Sequence, residues 1–169
     1  VFPAHLTNFA ENGLPTERKA YYYAERAKGG AGLIITEEHS VHPTDFAYEK
    51  LIHAFNPEVI PGYRRITERV HRYGAHIFAQ INHNGGQASG TYSHLPVWAP
   101  SPVADPLFRE VPKEMEPEEI EQVVAGYARV VTHVQEGGFD GAELQGSHSS
   151  LIRQFLSPHA NRRTDEYGG

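Results

Sequence analysis

The sequence has no cysteine, no run of basic residues and no long apolar segment, and each absence removes a class of protein. Without cysteine, disulfides and cysteine-ligated metal or cluster sites are excluded within these 169 residues. A net charge of −6 with no Lys/Arg cluster makes nucleic acid and anionic membranes poor partners. The longest apolar runs, such as AGLII at 31–35, are far too short to span a membrane. A cytoplasmic location is therefore the default expectation.

What is present fits a compact fold. An apolar content of 39% and ordinary counts of glycine (16) and proline (12) suit one domain or part of a larger one. The sequence begins at Val1, inside an apparent strand, and it stops directly after a segment dense in polar residues. We therefore expect residues 1–169 to be part of a domain that is truncated at both ends.

Strands alternate with amphipathic helices along the chain. Strands are predicted at 1–6, 31–36, 75–81 and 139–144, and a loop of the kind that forms functional lids is predicted at 82–114. The three helices begin at Thr16, at Asn56–Pro57 and near Pro117, and glycines end each of them. Their apolar stripes are Ala20, Tyr23, Ala24 and Ala27; Val59, Tyr63, Ile66, Val70 and Tyr73; and Ile120, Val123, Val124, Tyr127, Val131 and Val134.

This alternation predicts the α/β class with a parallel sheet, because parallel strands need helical crossovers between them. Two folds compete at this point, a (β/α)8 barrel and a doubly wound sheet. A barrel needs about 250 residues, so the chain would supply about the first four βα units of one. No GxGxxG follows the first strand, which is evidence against a dinucleotide-binding Rossmann unit.

Polar side chains collect where the predicted strands end. They are His5 and Thr7; Thr36, Glu37, Glu38 and His39; Gln80, Asn82 and His83; and Gln145 and His148. The carboxyl ends of parallel strands share one rim, where such folds place their sites. Each residue also has a structural interpretation. His5 could be a packed core histidine, Glu37 and Glu38 could be solvated loop carboxylates, and His148 could cap a helix. Gln80 lies in an apolar strand, where a buried amide needs hydrogen-bond partners.

Three segments then resemble a known family. They are residues 17–37 (ERKAYYYAERAKGGAGLIITE), 78–88 (FAQINHNGGQA) and 137–169 (GGFDGAELQGSHSSLIRQFLSPHANRRTDEYGG). The chain is similar to the amino-terminal half of the Old Yellow Enzyme family of flavin-dependent oxidoreductases. Within that family it resembles the branch with 2,4-dienoyl-CoA reductase, 2-enoate reductase and trimethylamine dehydrogenase.

The resemblance implies an eight-stranded barrel that holds FMN at its carboxyl rim. Ala4 and His5 would lie along the flavin ring, and Gln80 would pair with the flavin pyrimidine, since an amide offers both donors and an acceptor. Glu38 would stand beside the flavin carbonyl and N5, where the family usually has a small residue. Gln145 completes this set of implied cofactor contacts.

The resemblance also implies a substrate site. Gln145 and His148 match the two donors that bind a substrate oxygen, and many family members have two histidines, or His and Asn, there. Ser150 stands where many ene-reductases have a tyrosine proton donor, which points away from the usual alkene protonation and toward alcohol or amine oxidation. In the tail, Arg162, Arg163 and Asp165 are expected to pair and fix the loop, with Glu166 solvated.

The predicted function is hydride transfer between flavin N5 and a small organic substrate, with NAD(P)H as candidate reductant and no metal in these residues. An iron–sulfur cluster and FAD are expected only in C-terminal regions beyond this stretch. Residues 1–169 alone are expected to be inactive, and a homo-oligomer is a further expectation. Two alternatives stay open: a metal-dependent barrel hydrolase or lyase using His5, Glu37 and His148, and a catalytically silent barrel fragment that acts as a binding module.

Overall fold

The computed structural model describes residues 1–168. Its strands are β1 (Ala10–Glu11), β2 (Leu14–Pro15), β3 (Leu33–Ser40), β4 (Ile52–His53), β5 (His76–Asn82), β6 (Trp98–Ala99), β7 (Lys113–Glu114) and β8 (Gly141–Leu144). Its helices are α1 (Glu17–Lys28), α2 (Val59–His71), α3 (Gly90–Ser93), α4 (Pro117–Glu136) and α5 (Leu151–Phe155), with a 3-10 turn at Gly85–Gln87. Within residues 1–168 no helix has the length and apolar character of a membrane span.

The central sheet is parallel, as the sequence predicts. Its strands lie in the order β4-β3-β5-β8, and every neighbouring pair is parallel. The predicted first strand at 1–6 is wrong in extent, because only Phe2 pairs with the sheet, in a parallel bridge to Ile34. Beyond that bridge the backbone is held by a side chain instead, since the Thr7 amide donates to Glu37 Oε2 at 2.7 Å.

Helix α1 forms where its cap and stripe predict it. The hydroxyl of Thr16 accepts a hydrogen bond from the Lys19 amide, and the helix ends at Gly29. Its predicted stripe is buried, but Lys19 is buried with it, which the apolar pattern did not indicate. Helix α2 begins at Val59, later than predicted, because Asn56 caps the preceding turn by accepting from the Glu58 amide at 3.0 Å. Tyr73 lies beyond the helix end and is 49% exposed, so its predicted burial is wrong.

Helix α4 begins at Pro117 as predicted, with reciprocal capping between Glu116 and Glu119. The buried stripe is Ile120, Val123, Gly126, Val130 and Val134, while Val124 and Val131 are exposed and their predicted burial is wrong. A Cβ on Gly126 would lie 2.6 Å from the Val41 carbonyl oxygen. The missing side chain therefore lets the helix approach the backbone that leaves β3.

The predicted 82–114 loop is partly ordered into secondary structure. It contains the 3-10 turn, α3, β6 and β7, and β6 pairs with β7 through Trp98 with Lys113 and Ala99 with Glu114. Gln87 and Phe108 from this segment lie on the wall of the cavity described below. The segment thus covers one side of the rim.

The carboxyl-terminal tail is fixed to this covering segment by one arginine. The Arg163 side chain is 4% exposed, is ion-paired with Asp165, and donates to the carbonyl oxygens of Pro100 at 3.2 Å and Met115 at 2.5 Å. The expected pairing is therefore confirmed for Arg163 and Asp165. It is wrong for Arg162, which is exposed and donates instead to the His159 carbonyl oxygen at 3.3 Å. Glu166 is exposed, as predicted.

Candidate active site

A cavity of 670 Å³ opens at the carboxyl ends of β3, β5 and β8. Its volume lies within the range of about 300–1,000 Å³ that is typical of ligand sites. The structure brings all six predicted site residues onto its wall: Ala4, His5, Glu38, Gln80, Gln145 and His148. The parallel sheet brings the ends of β3, β5 and β8 to the same rim, and the bridge of Phe2 to Ile34 places the segment with Ala4 and His5 beside β3.

A bulge in β3 determines which of its side chains lies beside Gln80 on the cavity wall. Ile35 pairs with Phe78 and Glu38 with Gln80, so β3 carries one residue more than β5 between the two pairs. Gln80 pairs in turn with Glu143 on β8. Glu38, Gln80 and Glu143 therefore form a row across three strands, and all three line the cavity. The sequence analysis missed Glu143, which only the strand register brings beside Gln80.

The two glutamine amides are each fixed through one end. Gln80 Nε2 donates to Glu143 Oε1 at 2.7 Å, and Gln145 Nε2 donates to the His148 carbonyl oxygen at 3.1 Å. Neither Oε1 atom has a hydrogen-bond partner within residues 1–168. Each amide is thus oriented by the protein and keeps an acceptor for a ligand on the cavity wall.

Glu38 is held on the wall by amide donors. Asn82 Nδ2 lies 2.5 Å and Asn84 Nδ2 3.4 Å from its Oε2 atom. Burial raises the pKa of the Glu38 carboxyl to about 7, and the neighbouring Asp45 charge adds to this shift. The interpretation of Glu38 as a solvated loop carboxylate is therefore wrong.

Glu37 has the opposite environment, although it is the adjacent residue. It is 2% exposed and forms an ion pair with Lys19, which is fully buried on α1. The Thr7 amide and hydroxyl donate to it at 2.7 and 2.6 Å. The sequence analysis missed Lys19, whose only local signal was a charged residue next to the apolar stripe. Glu37 is therefore not solvated either.

These contacts also bear on the metal-dependent alternative with His5, Glu37 and His148. The Glu37 carboxylate is already occupied by Lys19 and Thr7. In the part of the chain that the structure describes, no group of three or more His, Asp or Glu side chains could hold a metal ion. His5 instead contacts the Tyr22 phenol through Nε2.

Two histidines near the strand ends serve packing. His39 is fully buried and stacked on Tyr63, whose hydroxyl lies 2.9 Å from its Nδ1 atom. His83 is also fully buried, bonded to the Thr44 hydroxyl at 3.0 Å and to the Gly85 amide at 2.9 Å. Burial lowers the pKa of His83 to about 3, so its imidazole is neutral at pH 7.

Ser150 does not lie on the cavity wall. It is fully buried and its hydroxyl donates to the Gln145 carbonyl oxygen. The contact fixes the turn between β8 and α5, which carries Gln145 and His148. Ser150 thus has a structural contact here rather than a position from which it could protonate a ligand.

Comparison with known proteins gives this geometry a context. Residues 2–169 match the model of the NADH:flavin oxidoreductase / NADH oxidase family. The NADH oxidase of Thermoanaerobacter brockii is 39% identical over 172 residues, which cover 100% of this chain and 26% of that protein. The old yellow enzyme homologue from Zymomonas mobilis superposes with a TM-score of 0.91 at 29% identity, covering 100% of this chain and 50% of that one.

Morphinone reductase in complex with tetrahydroNAD is a further structural neighbour. Its TM-score is 0.92 at 26% identity, and the match covers 99% of this chain and 50% of that chain. The chain thus spans about a quarter to a half of the length of the proteins it matches.

Proposed function

We propose, from the premise that the chain belongs to the NADH:flavin oxidoreductase / NADH oxidase family, that the full-length protein is an FMN-dependent oxidoreductase. It would pass hydride between flavin N5 and a small organic substrate, with NAD(P)H as reductant. The family match and the structural neighbours confirm the resemblance to the Old Yellow Enzyme family and the partial (β/α)8 barrel that the sequence predicts.

The cavity has the chemistry to receive the flavin ring. Gln80 and Gln145 each offer a free amide oxygen, and Gln80 is oriented by Glu143. Ala4 and His5 also line the cavity, and Glu38 completes the proposed set of ring contacts. Among the described lining residues there is no Lys or Arg, so this wall suits an uncharged ring rather than a phosphate. FMN, when bound here, supplies the hydride chemistry.

Gln145 and His148 are the proposed substrate residues. Both lie on the turn after β8, three residues apart, and both line the cavity. The second N–H of the Gln145 amide, which the His148 carbonyl leaves free, and the His148 imidazole would donate hydrogen bonds to one substrate oxygen as negative charge develops. The single observation that carries the proposal is this convergence of six residues from four separate segments on one cavity in a chain of this family.

The first test uses the visible spectrum of the full-length protein and two variants. We expect a flavin spectrum in the wild type. His148→Ala should keep that spectrum, bind phenolate or carboxylate ligands more weakly, and lower turnover by about 10²–10³, the effect of losing one oxyanion donor. Gln80→Ala should mainly weaken flavin retention. His159→Ala, an exposed histidine, is the matched control and should change neither property.

A wild-type protein without flavin would contradict the proposed function. Loss of flavin from His148→Ala, with normal turnover of the remaining holoenzyme, would instead show that the roles of His148 and Gln80 are wrongly assigned. Four further expectations stay predictions. Metal analysis tests for the iron–sulfur cluster, and flavin analysis tests for FAD. Size-exclusion chromatography tests for the homo-oligomer, and cell fractionation tests the cytoplasmic location.

A further inference from the structure

Glu38 is a carboxyl group on the cavity wall. The proposed function gives it a contact with the flavin ring but no part in the reaction. It stands in the row with Gln80 and Glu143, at the level where β3, β5 and β8 reach the rim. The bulge in β3 puts it there, because a regular ladder would pair Glu37 with Gln80 instead. The pairing of β3 with β5 therefore fixes the position of Glu38, which does not lie on an exposed loop.

Its carboxyl group is anchored beside the turn that carries the substrate residues. Asn82 Nδ2 donates to Glu38 Oε2 at 2.5 Å and to the carbonyl oxygen of Ser149 at 2.7 Å. One amide group thus links Glu38 to the residue that follows His148. Both amides bind Oε2, and the Tyr48 phenol lies beside the carboxyl, so Oε1 is held by neither amide.

The groups around Glu38 favour a carboxyl that carries a proton near neutral pH. Asp45 lies behind it, fully buried, with its Oδ2 atom without a partner in residues 1–168. Two phenols lie near both carboxyls. Tyr48 is on the loop between β3 and β4 that also carries Asp45, and Tyr127 is on α4. Glu143 and His148 line the same cavity. The Lys19 ammonium is bound to Glu37, and no Lys or Arg lines the described wall.

The electrostatics follow from these neighbours. Burial raises the pKa of Glu38 to about 7 and that of Asp45 to about 6, and each charge disfavours the other. A carboxyl with a pKa near the working pH is suited to give and take protons. Ser150 offers no such group to the cavity, because its hydroxyl is buried against the Gln145 carbonyl oxygen.

We propose that Glu38 is the proton donor of the reaction in this cavity, an inference that rests on the proposed function. The substrate is an alkene conjugated to an electron-withdrawing group whose oxygen is held by Gln145 and His148. Hydride adds to one alkene carbon, and the π electron pair moves to the other carbon. That carbon takes the proton of the Glu38 O–H bond, whose electron pair stays on the carboxylate. Water then returns a proton to Glu38.

The test follows hydride transfer and protonation separately in the full-length holoenzyme. The enzyme is reduced without oxygen and mixed with a nitroalkene, whose hydride adduct is a nitronate anion that absorbs in the ultraviolet. Glu38→Gln should still reoxidise its flavin, which shows that hydride has been transferred. Protonation of the nitronate should be slower by about 10²-fold or more, so that the anion accumulates. Glu38→Asp should restore part of the protonation rate.

Glu49→Gln is the matched control, since Glu49 is an exposed glutamate one residue from Tyr48. It should behave as the wild type. Protonation by Glu38→Gln at the wild-type rate would overturn the inference while leaving the proposed function intact. Failure of the nitroalkene to reoxidise the flavin in the wild type would overturn both.

A second readout needs no turnover. The infrared spectrum of the wild type should contain the carbonyl stretch of a protonated carboxyl that disappears as the pH is raised through about 7. Glu38→Gln should lose this component and keep only the one that Asp45 gives near pH 6, while Glu49→Gln should keep both. Its presence unchanged in Glu38→Gln would assign it to another acid and contradict the role of Glu38.

Discussion

Two consecutive glutamates on β3 lie in opposite electrostatic surroundings. Glu37 belongs to a buried lysine–glutamate cluster with Lys19, Thr7 and Tyr23, in which a cation and two donors saturate the carboxylate. The Tyr23 hydroxyl completes it by accepting from the Glu37 amide at 3.0 Å. Glu38 belongs to a cavity carboxyl pair with Asp45, whose hydrogen-bonding side chains include no cation: they are the amides of Asn82 and Asn84 and the Tyr48 phenol.

The difference shows how one sequence feature can serve two purposes. A carboxylate bound to a buried ammonium and two further donors ties its segments together. A carboxyl pair without a cation holds a proton at near-neutral pH, because two like charges in a buried site are unfavourable. The lysine–glutamate cluster should therefore dominate stability, and the carboxyl pair should dominate pH dependence.

Removing the cation tests the first half of this comparison and should have the largest effect. Lys19→Met keeps the volume of the side chain but leaves the Glu37 carboxylate buried without its charge partner. We expect the free energy of unfolding of the full-length protein to fall by about 3–5 kcal/mol, as measured by urea denaturation.

Lys28→Met is the control for this change. Lys28 lies on the same helix, and its side chain is 59% exposed, so its loss should change the free energy of unfolding by less than about 0.5 kcal/mol. Equal effects of the two substitutions would show that the Lys19–Glu37 pair does not hold the fold.

The second half of the comparison predicts a pH dependence of stability. Folding raises the pKa of Glu38 from 4.5 to about 7, so the folded state binds this proton more tightly than the unfolded state. The stabilisation is complete below pH 4.5 and is lost as the pH rises to about 7. Glu38→Gln, which is always neutral, should be more stable than the wild type by roughly 3 kcal/mol at pH 8.

Urea titrations at pH 5 and pH 8 measure this difference, and Glu49→Gln serves again as the control. Asp45 should also make the free energy of unfolding fall as the pH rises, because burial raises its pKa from 3.8 to about 6. Part of the pH dependence should therefore survive in Glu38→Gln. An unchanged profile in that variant would show that Glu38 is already ionised in the folded protein.

The smallest expected effect concerns the contact between the cluster and the amino-terminal segment. Thr7→Val keeps the side-chain shape but removes the hydroxyl that donates to Glu37 Oε1 at 2.6 Å. We expect a loss of about 1–2 kcal/mol in the free energy of unfolding, since the acceptor is charged. Because the same segment carries Ala4 and His5, flavin retention should also weaken. Thr164→Val, at an exposed threonine, should leave both measurements unchanged.

Much of the fold was predictable from local patterns. The Thr16 cap and the apolar stripe of α1, the Pro117 start of α4, and the apolar runs of β3 and β5 are all present near their predicted positions. These are short-range effects, because capping and periodicity depend on residues within a few positions of each other. The errors lie where distant contacts decide, as for Tyr73 and for Val124 and Val131, whose burial depends on what packs against the helix.

The sequence by itself determined that polar residues gather at the strand ends, and its resemblance to a known family implied the six candidate residues before the cavity was seen. It did not determine which of Glu37 and Glu38 faces Gln80, nor that Lys19 is buried against the other. Those outcomes required the β3 bulge, the pairing of Gln80 with Glu143, and the packing of α1 on the sheet. The physical reason is that a carboxyl group's charge state depends on the partners and the burial that the assembled chain provides, and neighbours in sequence do not specify either.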